Sequence, residues 1–201
     1  MAAYTAIAAV SRTLLGVLRG EIANREDVVS LDAESIALVD PDDVSSDDQT
    51  RLSVSLYHLE ENTAMKNSQP RQRADPNVAE GSPLGMELYY LVTAHSGGGE
   101  ESTTQTLEQQ RVLGLALQTF NDNAIVRDEQ VEPELRADGP LSISLVNSSI
   151  SERTNRWSTA PDTAFQPSVL YHVSSAVIDS RQREELAPVT ERETSLDRQP
   201  E

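Results

Sequence analysis

Residues 84–93 read Leu84-Gly85-Met86-Glu87-Leu88-Tyr89-Tyr90-Leu91-Val92-Thr93. Leu84, Met86, Leu88, Tyr90 and Val92 fall at every second position, with Glu87, Tyr89, Leu91 and Thr93 between them. A period of two sends alternate side chains to opposite faces, so this stretch is a β-strand with one continuous apolar face. A strand of that kind needs neighbours, and the chain offers them. Leu52, Val54 and Leu56 alternate with Ser53, Ser55 and Tyr57. Leu141, Ile143 and Leu145 alternate with Ser142, Ser144 and Val146, and Val169, Tyr171, Val173, Ser175 and Val177 with Leu170, His172, Ser174, Ala176 and Ile178. Ser35-Ile36-Ala37-Leu38-Val39 reads as a shorter strand. The alternation predicts that Leu56, Leu88, Leu145 and Val173 are buried together.

Helical periodicity occurs twice. Ile7, Val10, Leu14, Leu15 and Leu18 share one face of a helix over 3–19, with Gly20 as its expected stop. Leu107, Val112, Leu113, Ala116, Leu117 and Phe120 describe a second over 107–120, closing near Asn121-Asp122-Asn123. The resulting order predicts an α+β fold, a mainly antiparallel or mixed sheet of about four to five strands covered by two helices. With 201 residues, 37% of them hydrophobic, the chain supports one ordinary core. Residues 66–83 are polar and broken by Pro70, Pro76, Gly81 and Pro83, which reads as a long connection or lid and not as an element. Residues 181–201 carry four arginines, six acids and two prolines, with too little apolar surface to fold by themselves. The expected organisation is one domain over 1–180, including the 66–83 loop, and a polar tail over 181–201.

Charge narrows the function. The formal charge is −17, from 33 acidic and 16 basic residues, and Lys66 is the single lysine among 15 arginines. Residues 26–50 hold nine acids and no base. A phosphate backbone needs a basic footprint, so no nucleic-acid partner is expected. A carboxylate surface of this density repels itself unless ions screen it, which reads as a halophile's cytosolic protein; an acidic mesophilic protein is the alternative, and the scarcity of lysine counts against it. Met1 to Ala9 has no basic n-region, and no apolar run reaches the roughly 18 residues of a membrane span, so synthesis in the cytoplasm and no membrane partner are expected.

Without cysteine there is no thiolate metal site or nucleophile. His58, His95 and His172 each sit in a strand or at its end, none spaced to share a metal with another, so structural or surface roles are expected. Gly97-Gly98-Gly99 is followed by Glu100 and Glu101, which would repel a phosphate. No Gly-x-Ser-x-Gly elbow occurs. No catalytic residue, cofactor or metal site is therefore expected. Trp157 and Phe165, near Arg153 and Arg156, read as core anchors or as an interface hot spot. Two further readings stay open: a small acidic cation- or ligand-binding module using residues 40–48, and, less favoured, a serine hydrolase with a serine near His172.

Four segments in order carry a family likeness: Leu56-Tyr57-His58-Leu59-Glu60-Glu61-Asn62 with Met65-Lys66-Asn67; Pro83 to Ala94; 108–122 with Leu113-Gly114 and Phe120-Asn121-Asp122; and Trp157-Ser158 with Phe165-Gln166-Pro167-Ser168-Val169-Leu170-Tyr171. Together they resemble the tail terminator, or cap, family of phage-tail-like extracellular contractile injection systems, in its amino-terminal domain, over about residues 4–178. The resemblance implies a non-enzymatic structural protein. It would form a homohexameric ring at the end distal to the baseplate, with the inner tube protein and the sheath protein as partners, in a particle released outside the cell. Glu61, Asn62, Asn67, Arg156 and Trp157 are the candidate assembly contacts, with a sheet edge open to an added strand as the docking face. The acidic composition and the polar tail depart from the family pattern.

Overall fold

The computed structural model describes residues 4–23, 31–45, 49–65, 78–97, 102–147 and 165–185. Its elements are α1 (Ala6–Ala23), β1 (Ile36–Ala37), β2 (Leu52–Glu61), β3 (Val78–Glu80), β4 (Leu84–Ala94), α2 (Ser102–Asp122), β5 (Ile125–Val126), β6 (Leu141–Leu145), β7 (Ser168–Ile178) and β8 (Arg183–Glu185), with short 3-10 turns between them. The fold class is α+β, as the periodicities indicate. Six strands form one sheet in the order β1-β2-β4-β7-β6-β5, in which β1 runs parallel to β2 and every other pair is antiparallel.

The stretch 84–93 is the centre of this sheet. One face of β4 presents Met86, Leu88, Tyr90 and Val92, all buried, and register places Val173 and Tyr171 of β7 beside Leu88 and Tyr90. Both helices pack on that face. α1 contributes Ala6, Val10, Leu14 and Leu18, and α2 contributes Val112, Leu115, Ala116 and Phe120. Phe120 meets Tyr171 edge-on, with ring centroids 4.8 Å apart, a favoured aromatic geometry. Tyr90 places its hydroxyl 2.8 Å from Ser11 Oγ of α1; burial raises its pKa to about 12, and the Ser11 hydrogen bond opposes that rise.

Four expectations need correction. Gly20 lies inside α1, because Ile22 is buried and extends the apolar face by another turn. Leu56 and Leu145 are 37% and 51% exposed, although register puts them on the helix side with Tyr90 and Tyr171. Each sits where its strand has outrun its outer neighbour, β1 ending opposite Ser53 and β5 opposite Leu141 and Ser142. Residues 78–80, within the stretch read as broken, form β3, and β3 pairs with β8 as a separate two-stranded sheet. The beginning of the polar tail thus gains a partner that the tail alone lacks. Leu107, placed on the apolar face of the second helix, is 49% exposed because the covered part of α2 begins at Gln109. Among the described residues no helix is long and apolar enough to cross a membrane.

Candidate assembly interface

The second face of the sheet carries a row of polar groups across four strands. Past Leu56 a bulge shifts the register of β2, so His58 lies opposite Tyr89 and Glu60 opposite Glu87. On the other side of β4, Tyr89 lies opposite His172 of β7, and Ser144 of β6 continues the row. The rings are close, with His58–Tyr89 and Tyr89–His172 centroids 5.7 and 5.0 Å apart. Tyr89 donates its hydroxyl to Glu60 Oε1 at 2.6 Å. That bond is the main reason its phenol is held above the usual range, with desolvation and the charges of Glu60 and Glu87 adding to it.

Glu87 joins the row to the end of β2. One of its oxygens accepts from Asn62 Nδ2, and the other lies 2.5 Å from His172 Nε2. Asn62 is fixed on its other side by an Asx turn, its Oδ1 accepting from Ala64 N at 3.0 Å and Met65 N at 3.3 Å. Glycine at 85 leaves room for the Met65 side chain at the end of this turn. A Cβ there would lie 2.7 Å from the Met65 sulfur.

The candidate contacts divide accordingly. Asn62 sits in the polar network, and Glu61 is exposed at the end of β2, opposite Met86. Asn67, Arg156 and Trp157 lie outside the described residues. Glu60, Glu87, Tyr89 and His172 were missed as a group. Alternation puts Glu87 and Tyr89 on the second face, but only the pairing register brings Glu60 and His172 to them. Ser144, His172 and Glu87 are connected in the order serine, imidazole, carboxylate, which is the hydrolase reading's requirement. Ser144 Oγ is 3.4 Å from His172 Nδ1, long for such a bond; Ser144 lies directly opposite His172, whereas Glu87 reaches His172 diagonally from two residues before Tyr89, its partner on β4. The arrangement does what cross-strand polar pairs do: it locks the register of four strands.

His95 is a separate case. It is buried at the end of β4, with Nε2 2.8 Å from Ser53 Oγ, and burial holds its pKa below the ordinary imidazole value. Burial therefore favours its neutral form. In the acidic stretch, Asp40 Oδ1 accepts from Asp42 N at 3.1 Å and caps the turn Pro41–Asp43. Among the described residues no group of three or more histidines or acids is placed to hold a metal ion.

A long helix-covered sheet, an acidic surface and a polar cross-strand row are compatible with many proteins; the family is decided by sequence. A family model described as the Pvc16 N-terminal domain matches residues 9–192. The chain belongs to that family. The fold of this chain is also similar to two cryo-EM structures. One is the PVC sheath/tube terminator of an extracellular contractile injection system in its extended state, with a TM-score of 0.61 and 15% identity over 96% of this chain and 64% of that one. The other is the anti-feeding prophage cap, a tube-terminating cap, with a TM-score of 0.56 and 18% identity over 89% of this chain and 59% of that one. The chain therefore spans less than two thirds of either structure's length. No curated protein matches it by sequence.

Proposed function

We propose that this chain is a terminator subunit of a contractile injection system. Six copies form a ring on the end of the particle distal to the baseplate and bind the last layers of the inner tube protein and the sheath protein. The observation that carries this is the likeness, over 96% of the chain, to a sheath/tube terminator, within the Pvc16 N-terminal domain family. Its role is structural and not enzymatic, which agrees with the Ser144–His172–Glu87 row serving the sheet's register. A ring forms when a heterologous interface closes on itself, whereas tube and sheath layers stack openly; a terminator matches the last layer on one face and offers no site on the other. Residues 26–50, with nine acids and no base, suit that outer face, because another acidic layer is repelled.

The domain is read as residues 1–180 followed by a polar tail, with the β3–β8 pairing holding the tail's beginning. Glu61, Asn62, Asn67, Arg156 and Trp157 are its assembly contacts. It is made in the cytoplasm of a halophile and leaves the cell in the particle, with protein partners and neither nucleic acid nor membrane. Deleting the gene is expected to give tubes and sheaths of uncontrolled length, or contracted particles, in electron micrographs. Intact particles of normal length without it contradict the proposal.

A further inference from the structure

A pocket of about 520 Å³ lies in the chain between β5 and β6, lined by Arg127, Glu129, Val131, Arg136, Gly139 and Pro140. Its frame is held in place. Val131 and Leu135 are buried, and Thr13 Oγ1 of α1 accepts from Glu132 N at 3.1 Å. Arg136 braces the turn, its Nε donating to Val131 O at 3.1 Å and its Nη2 reaching Glu129 O at 3.5 Å. A guanidinium has five N–H donors, so Arg136 keeps others for a ligand. Arg127 is exposed at the exit from β5, and among the described residues neither arginine forms an ion pair. Glu132 and Glu134 are held by Arg12 of α1, at 3.7 and 3.0 Å. Glu129 shares the pocket wall, so attraction there comes from close guanidinium contacts and not from a broad basic field.

The turn after β1 presents the complement, at the other end of the strand order. Pro41 is buried, Asp40 Oδ1 accepts from Asp42 N at 3.1 Å, and Asp43 N donates to Asp40 O at 3.0 Å. These bonds fix the backbone that carries Asp42 and Asp43, both exposed. Glu60 and Glu87 already hold Tyr89 and His172, whereas neither the Asp42 nor the Asp43 carboxylate has a hydrogen bond or ion pair among the described residues. Two braced features lose little freedom on pairing. Salt favours such a contact between chains of charge −17. At about 1 M the Debye length is about 3 Å, so long-range repulsion is screened while a carboxylate and a guanidinium in direct contact still attract.

We infer that the pocket of one copy receives the Asp42-Asp43 turn of a second copy, the two carboxylates meeting the guanidinium groups of Arg127 and Arg136. Acid and base belong to different parts of each copy, so the contact is heterologous, the kind that a closed ring repeats. The inference deepens the terminator reading, and rests on it only for closure at six. It uses Asp42 and Asp43; the other seven of the nine acids in residues 26–50 remain for the outer face.

The test follows association of the full chain in about 1 M KCl by sedimentation. The wild type is expected to form oligomers. Arg127→Glu reverses a charge of the pocket, Asp42→Arg with Asp43→Arg reverses the turn, and each variant alone is expected to associate at least about tenfold more weakly. Mixed in equal amounts they are expected to recover assembly, because the reversed pocket then meets the reversed turn and the native pocket the native turn. Variants damaged in fold stay weak when mixed. Should a reversal lower the urea-unfolding midpoint, Arg127→Ala and Asp42→Ala with Asp43→Ala take its place, and their combination is expected to weaken association no more than either alone. A wild type that stays monomeric, undiminished association of the reversed variants, no recovery on mixing two folded variants, or additive losses in the alanine series overturns the inference. Those outcomes leave the particle-length result of a gene deletion untouched, so failure here and failure of the terminator reading are distinguishable.

Discussion

A buried neutral imidazole makes stability depend on pH, and His95 is the residue where this applies. Burial lowers its folded pKa, so below about pH 6.5 the unfolded chain takes up a proton that the folded chain refuses. Stability is then lost as the pH falls below the unfolded value, and the loss is complete once the pH passes the lowered folded value. Urea unfolding between about pH 7.5 and 5.5 is expected to show this decline, and His95→Gln, which keeps a polar partner for Ser53, to flatten it. Every other titratable group is common to the two proteins, so the difference between the two slopes isolates His95. Equal slopes contradict the assignment.

Coverage of the strands decides what each leucine contributes. Leu88, on the central strand, is fully buried, whereas Leu145, at the end of β6, is 51% exposed. Leu88→Ala is expected to cost about 2–5 kcal/mol in urea unfolding through the cavity it leaves. Leu145→Ala is expected to change stability by no more than about 0.5 kcal/mol, as exposed substitutions usually do. Equal costs contradict the placement of the helices over the sheet's centre. The same contrast explains what was legible in the sequence. Residues 84–93 and 169–178 reveal themselves because alternation persists over their length and the faces differ in polarity. β2 is legible only to Tyr57, because the bulge there breaks the alternation and the strand continues to Glu61 in the shifted phase. β3 and β8 have three residues each and exist through each other, and a pairing across about a hundred residues leaves no local periodicity. Asn62 was legible as a contact candidate, but its link through Glu87 to His172 depends on a register that no single strand encodes.

Across the whole molecule the dominant fact is a charge of −17 on 201 residues. Carboxylate repulsion of that size falls with ionic strength, the Debye length shrinking to about 3 Å at 1 M salt from about 10 Å at 0.1 M. The melting temperature or assembly state is therefore expected to fall as KCl is lowered from about 1 M to 0.1 M. A flat response contradicts the halophilic reading and leaves the fold untouched. In the ring proposed above, screening would matter further, since six acidic subunits brought together would multiply the repulsion that one subunit tolerates. The terminator reading is tested most directly by locating the tagged full-length protein in purified particles by cryo-electron microscopy. The expected result is sixfold density confined to the end opposite the baseplate, in contact with the last tube and sheath layers. Density along the sheath, density at the baseplate, or particles that lack the protein altogether would contradict it.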